Sequence, residues 1–205
     1  IPRSRGLGSS SAVTTAAAAA AMRAVGRVPE SAALFDIVAA LEGHADNAAA
    51  AVYGGMVVVS GEAWRRFEIS PKLEIIVGIP DARLGTFEAR SVLSAEVSRW
   101  AAARNLGRLA LLLEGLRSAD PDALEAAAGD ELHELPRQHL SPVTAELMEA
   151  ARRGGAVHAA WSGAGPTAIA FTTADGVDSV TIAMEATLGD QGVVRRLDVA
   201  SEGWA

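Results

Sequence analysis

Arg5-Gly6-Leu7-Gly8-Ser9-Ser10-Ser11 is followed by Ala12 and by an unbroken alanine run from Ala16 to Ala21. Glycines give way to small hydroxyl residues, and these to a strong helix former. That is the order of a loop feeding a helix N-terminus. Unpaired backbone N–H groups and the positive end of the helix dipole at such a junction favour an anion, phosphate above all. Gly6 and Gly8 permit the positive φ and close approach that a side chain would block. No Gly-Lys-Ser/Thr follows, so this is not a Walker loop. A capped helix after a turn is the other reading of the same residues.

Outward from this loop, the pattern predicts a helix over 9–25 with Ser9 to Ser11 supplying its N-cap, closed by Gly26 and Pro29. Ala33, Leu34, Ile37, Val38 and Leu41 recur at helical spacing, which predicts a helix over 30–43. Gly43 to Asn47 interrupts it. A short helical turn over 48–53 ends at Gly54-Gly55, and strands are expected at 56–60 and 73–79. Polar residues between 62 and 73 mark a soft boundary. From Thr86 the pattern is helical to Leu116, with a break expected near Asn105-Leu106-Gly107. Further helices fall at 121–128, 142–153 and 176–188, and strands at 156–161, 167–173 and 192–199. Strands and helices without regular βαβ alternation indicate an α+β fold.

The 205 residues are enough for one substantial core or two small ones. Half are apolar, and aromatics are scarce at 4%, an ordinary globular, helix-leaning balance. Cysteine is absent, which excludes disulfides and thiolate metal sites. No long apolar stretch is free of charge, so no membrane span is expected, and the cytoplasm is the default compartment. A formal charge of −7 without basic runs argues against a nucleic-acid binder. Lys72 is the sole lysine, so oxyanion recognition must rest on arginine forks or backbone amides. The chain begins at Ile1-Pro2, immediately before its best motif, and reads as a piece of a longer protein.

Three further groups carry chemistry. Glu42-Gly43-His44-Ala45-Asp46-Asn47 gathers a carboxylate, an imidazole and an amide within six residues, able to hold a hard cation and a polar substrate. Asp46 as a mere helix cap and Glu42 as a solvated carboxylate stand as the alternative. Ser162-Gly163-Ala164-Gly165-Pro166-Thr167 is a tight loop between strands, compatible with a nearby anion or with a plain hairpin turn. Thr86 and Arg90 are four apart on one helical face, and Arg137 lies in an irregular stretch. Brought together, the two arginines can grip a carboxylate bidentately. Each alone reads as a surface residue.

Ile1-Pro2 through Gly6-Leu7-Gly8-Ser9-Ser10, then Glu42 to Asn47 with Gly54-Gly55, then Ser162 to Thr167, occur in the order seen in the GHMP kinases. That superfamily includes galactokinase, homoserine kinase, mevalonate kinase and phosphomevalonate kinase. Glu-Gly-His-x-Asp-Asn followed by Gly-Gly resembles homoserine kinase in particular, as does Thr86-Phe87-Glu88-Ala89-Arg90. The resemblance spans nearly the whole chain. It implies a two-domain fold: a ribosomal protein S5 domain 2-like N-terminal part, incomplete, and a ferredoxin-like C-terminal domain. The first would occupy 1–66 and the second 67–205.

The resemblance also implies roles. Pro2, Arg3, Ser4, Arg5, Gly6, Leu7, Gly8, Ser9, Ser10 and Ser11 would wrap the phosphates of ATP. Ser10 and Glu42 would hold Mg²⁺. Asn47 and Glu42 would be catalytic, with His44, Asp46 and Asn47 around the homoserine hydroxyl. Thr86, Arg90 and Arg137 would recognise the amino-acid portion, and Gly163 and Gly165 would shape the wall beside the reacting groups. The implied reaction is phosphorylation of L-homoserine for threonine synthesis, without nucleic-acid or membrane partners and with room for a homodimer. Homoserine kinases carry a portion ahead of the Gly/Ser loop with part of the adenine pocket and an acidic contact to the substrate amine, which this chain is expected to lack. A mevalonate-type GHMP kinase, or a non-catalytic relative that only binds nucleotide or partners, are the competing readings.

Overall fold

The structure, a computed structural model, describes residues 1–204. The chain forms two compact units. One comprises Ile1, residues 8–69 and the chain from Val199 onward; the other comprises Pro2–Leu7 and Ser70–Asp198.

In the first unit, α1 (Ser9–Ala24), α2 (Ser31–Glu42) and α3 (Asp46–Tyr53) are followed by β1 (Met56–Ser60) and β2 (Ala63–Phe67). Ala19, Met22, Leu34, Phe35, Val38, Ala48, Ala49 and Val52 form its buried core. The small alanines let the three helices approach closely. β1 and β2 pair antiparallel, Met56 opposite Phe67 and Ser60 opposite Ala63, with Gly61 at φ 59° opening the two-residue turn. Tyr53 stacks on Trp64 with ring centroids 3.9 Å apart. β2 was not expected from the sequence: Trp64-Arg65-Arg66 reads as polar boundary, yet Trp64 supplies the apolar contact that secures the strand. Gly54 and Gly55, both at φ 66°, leave room for the final residues. The Gly55 N–H donates to the Ala200 carbonyl at 2.8 Å, and a Cβ on Gly54 would fall 2.5 Å from the Glu202 backbone.

In the second unit, β3 (Leu73–Pro80) precedes α4 (Thr86–Ser91), α5 (Arg99–Ser118), α6 (Pro121–Ala126), α7 (Glu134–Arg137) and α8 (Pro142–Arg153). Then come β4 (His158–Trp161), β5 (Ala168–Thr173), a 3₁₀ turn at Ala174–Gly176, α9 (Val177–Leu188) and β6 (Gly192–Leu197). The antiparallel sheet has the order β4-β5-β3-β6. Read as β3-α8-β4-β5-α9-β6, this is the ferredoxin-like βαββαβ arrangement, with α4 to α7 inserted before its first helix. Ile76, Leu147, Met148, Val180, Met184 and Leu188 anchor the core. Each fully buried Leu or Met contributes about 1.5–3 kcal/mol. Gly78 sits where Met184 and Leu147 press on β3; a Cβ there would lie 2.8 Å from Met184 Cε.

The helix expected from Thr86 to Leu116 is interrupted at 92–98, not near Asn105. Ser98 restarts it, its Oγ accepting from the Ala101 N–H at 3.0 Å. Asn105-Leu106-Gly107 lies inside α5, where the alanines, leucines and arginines around it outweigh one glycine's weak propensity. Arg137, expected in irregular chain, closes the one-turn α7.

Candidate functional site

In the first unit the N-cap of α1 is Gly8, at φ 70° and ψ 20°, and no side chain caps the helix. Of the serines expected to do so, Ser10 and Ser11 point to Glu42 instead. Ser10 Oγ and Thr14 Oγ1 donate to Glu42 Oε1 at 2.8 and 2.9 Å, and Ser11 Oγ donates to Glu42 Oε2 at 2.9 Å. Positions 10, 11 and 14 share one face of α1, so three hydroxyls converge on one carboxylate at the end of α2. Burial alone would raise the Glu42 carboxyl. The three hydroxyls and the nearby His44 outweigh it and hold Glu42 below the ordinary carboxylate value. Glu42 is therefore a hydrogen-bonded anion, partly open to solvent.

Gly43, at φ 73°, ends α2 and turns the chain into the next cluster. His44 Nδ1 lies 2.8 Å from Asp46 Oδ1, and the same oxygen accepts the Asn47 backbone N–H at 2.7 Å. Asp46 is thereby occupied with His44 and the first turn of α3. Asn47 faces Gly8: a Cβ added to Gly8 would be 3.8 Å from Asn47 Oδ1. The helix N-terminus, Glu42 and Asn47 thus form one polar neighbourhood. Ser10 Oγ and a Glu42 oxygen 2.8 Å apart are hard oxygen donors that can serve one small cation. No cluster of three or more His, Cys, Asp or Glu among the described residues suits a metal held by protein alone.

In the second unit, the segment Pro2–Leu7 interlocks with the loop at Ser162–Thr167. Ser162 Oγ donates to the Gly6 carbonyl at 2.8 Å, and the Thr167 N–H donates to the Arg5 carbonyl at 3.3 Å. A Cβ on Gly6, at φ 77°, would lie 2.1 Å from the Ser162 carbonyl oxygen. The two glycine loops, read separately in the sequence, are in contact. Arg5 donates to the Ala82 carbonyl, so its guanidinium is turned toward the protein. Gly163 and Gly165 both take positive φ, and Gly165 packs against the Trp161 indole.

Thr86 and Arg90 are exposed on α4, while Arg137 is only 7% exposed. Its Nε donates to the Ala89 carbonyl at 2.9 Å, and Nη1 donates to the Gly163 carbonyl at 3.1 Å and to His133 Nδ1 at 3.2 Å. That uses three of its five N–H groups and leaves both Nη2 hydrogens without a partner among the described residues. Arg137 can therefore offer one nitrogen, not a full fork, while Arg90 keeps its fork. Among the described residues no carboxylate lies within 4.0 Å of the Arg137 guanidinium. Burial, and then Arg90, push the Arg137 pKa down, and the attraction of Asp130, which is not in contact with it, opposes them only in part.

Sequence reasoning missed Asp130, His133 and Glu134. Asp130 Oδ1 accepts the Leu132 and His133 N–H groups at 2.6 and 2.8 Å, and Asp130 Oδ2 lies 3.3 Å from His133 Nε2. Glu134 Oε1 accepts the Trp161 N–H at 2.9 Å and Oε2 the Asp130 N–H at 3.2 Å, tying α7 to the strand before the Gly163 loop. The spacing of 130, 133 and 137, which matches one helical face, was the available signal. A cavity of about 580 Å³ is lined by Glu134, Leu135 and Gln138 together with Arg108, Glu149 and Arg152; none of the expected site residues lines it. No helix among the described residues is long and apolar enough to cross a membrane.

The GHMP kinases N terminal domain model matches residues 1–55, and the GHMP kinases C terminal model matches residues 112–189. The chain is 36% identical over 212 residues to a homoserine kinase of Desulfitobacterium hafniense, covering 100% of this chain and 71% of that protein. Its structure is similar to that of homoserine kinase from Cytophaga hutchinsonii, with a TM-score of 0.89, 26% identity, and coverage of 99% of this chain and 69% of the other. L. major mevalonate kinase, solved with R-mevalonate, shares the fold at a TM-score of 0.74 and 16% identity over 96% of this chain and 67% of its own.

Proposed function

Because this chain belongs to the homoserine kinase family of the GHMP kinases, we propose that it transfers the γ-phosphoryl group of ATP to the side-chain hydroxyl of L-homoserine. The product is O-phospho-L-homoserine, an intermediate of threonine synthesis, made in the cytoplasm. The observation that carries the substrate class is Arg137: a buried guanidinium with no carboxylate partner, beside Arg90 and with free Nη2 hydrogens, suits the carboxylate of an amino acid. Mevalonate also bears a carboxylate, so substrate competition belongs in the test.

The first unit, with residues 8–69 and the chain from Val199 onward, serves as the ATP-binding domain, and the second, with Ser70–Asp198, as the C-terminal domain. The backbone of the Gly6 to Ser11 loop takes the phosphates of ATP, favoured by the α1 dipole. Ser10 and Glu42 offer the oxygens for Mg²⁺, whose shell the nucleotide phosphates and water would complete. When bound, Mg²⁺ neutralises phosphate charge. Asn47 accepts from and orients the homoserine hydroxyl, with His44 and Asp46 fixing the turn that presents it. Thr86, Arg90 and Arg137 receive the amino-acid end, and the Gly163–Gly165 loop supplies the neighbouring wall.

The homoserine oxygen forms a bond to the γ-phosphorus as the bond to the β-bridging oxygen breaks, releasing ADP. Phosphoryl transfer demands placement and charge stabilisation more than covalent help. Asn47 cannot take up a proton. The hydroxyl proton passes to the γ-phosphate or to water. An ADP-release assay with Mg·ATP tests the reading, using L-homoserine, L-serine, L-threonine and mevalonate, on these 205 residues and on the chain extended upstream to its start codon. Homoserine-dependent release with little response to mevalonate supports it. Preference for mevalonate, or no response in either form with the protein folded, overturns it.

A further inference from the structure

Arg137 reaches its position through an imidazole that the family reading leaves without a task. A guanidinium only donates, so the 3.2 Å contact between Arg137 Nη1 and His133 Nδ1 requires Nδ1 to be an unprotonated acceptor. The imidazole proton then resides on Nε2, which lies 3.3 Å from the Asp130 Oδ2 charge. Asp130 is itself fixed by the N–H groups of Leu132 and His133 on its other oxygen, and its own N–H by Glu134. A chain of fixed groups, Asp130 to His133 to Arg137, therefore ends at the guanidinium whose Nη2 hydrogens lack a partner.

We propose that His133, oriented by Asp130, is a positioning residue: as a neutral acceptor it holds Arg137 Nη1 so that Nη2 is presented to the substrate carboxylate. This rests on the reading of Arg137 as a carboxylate contact. The arrangement has a built-in pH dependence. Protonated His133 would carry a hydrogen on Nδ1, pointed at another donor, and the contact would turn from attraction to repulsion. The charged groups facing the imidazole are Asp130 from the preceding turn and Glu134 and Arg137 from α7. Burial lowers the His133 pKa; Asp130 and Glu134 oppose that and Arg137 adds to it, so the neutral form prevails at neutral pH.

Two measurements test the proposal. Imidazole ¹⁵N NMR on the 205-residue chain needs no turnover. A His133 Nε2–H tautomer titrating below the ordinary histidine value is expected; an Nδ1–H tautomer at pH 7.5 overturns the proposal. Steady-state kinetics then separates positioning from folding. His133→Ala is expected to raise the homoserine KM about tenfold at pH 8 while kcat and the ATP KM stay within about twofold. Asn places its side-chain oxygen near Nδ1, so His133→Asn should keep the wild-type homoserine KM at pH 8. It should also abolish the rise in that KM expected of the wild type toward pH 5.5. If His133→Asn behaves as His133→Ala, or the ATP KM rises in parallel, the proposal fails. Arg137→Ala separates the two levels. If it leaves the homoserine KM unchanged, the carboxylate reading itself is wrong. If it raises that KM and His133→Ala does not, only the role of His133 is wrong.

Discussion

At Gly6 and Gly43 the backbone takes nearly the same φ, 77° and 73°, yet a methyl group would meet different surroundings. At Gly43 it would meet nothing within 4 Å; at Gly6 it would lie 2.1 Å from the Ser162 carbonyl oxygen. Gly43→Ala should therefore cost only the strain of a left-handed residue, about 1 kcal/mol. Gly6→Ala should cost about 2–4 kcal/mol, because a backbone carbonyl must move as well. Thermal unfolding of both variants checks the difference, and equal losses would show that the Gly6 contact does not matter. At Asn47 the expectation concerns chemistry. A carboxylate there would supply a base, so a reaction that lacks a needed base should be accelerated by Asn47→Asp. With the γ-phosphate or water taking the proton, this variant should instead lose homoserine affinity and gain no rate. A faster variant with a new acidic limb in its pH–rate profile would count against the proposed mechanism.

At the scale of elements, the hydrogen-bonded anion at Glu42 depends on α1 presenting Ser10, Ser11 and Thr14 on one face. Glu42→Gln keeps one acceptor oxygen and loses the charge, and should lower kcat/KM at least about a hundredfold while the helices remain folded by circular dichroism. His133 beside α7 and His158 on β4 both have pKa values lowered, first by burial. His158 is held by Nδ1–H donation to the Leu124 carbonyl at 2.9 Å. The unfolded chain takes up these protons as pH falls through about 6.5, and the folded chain does so only lower. Stability is therefore full above about 6.5 and declines below it. The decline is at most about 1.4 kcal/mol for each imidazole at pH 5.5. Urea unfolding at pH 7.5 and 5.5 checks it, and a smaller pH response in His158→Asn would identify the source. Periodicity made most of these elements legible: α2, α8 and β3 fall within two residues of expectation because their apolar residues repeat cleanly. β2 was hidden by Arg65 and Arg66: Arg65 points away from the Trp64 face, and Arg66, on that face, finds its partner in the distant Ser201 carbonyl. The serine face of α1 read as a cap because a cap and a side-chain acceptor on another helix look alike in one dimension. The Arg137 network was hidden for the same reason: Ala89, His133 and Gly163 meet only in three dimensions.

For the whole molecule, the segment from Val199 to Trp204 is a part of the first unit that no local pattern announced. Arg66 Nη2 donates to the Ser201 carbonyl at 2.5 Å, and the Arg23 guanidinium lies 5.1 Å from the centroid of the Trp204 ring. Removing residues 199–205 should destabilise that unit by about 2 kcal/mol or more, read as a lower urea midpoint for the helical signal. An unchanged midpoint would make the segment an ornament. Chemistry is tested most directly by the product. ³¹P NMR of the protein with Mg·ATP and L-homoserine should show a phosphomonoester, split into a triplet by the adjacent CH₂, growing in step with ADP. Inorganic phosphate appearing alone, or a phosphomonoester that requires mevalonate instead of homoserine, would contradict the proposed transfer to the homoserine hydroxyl.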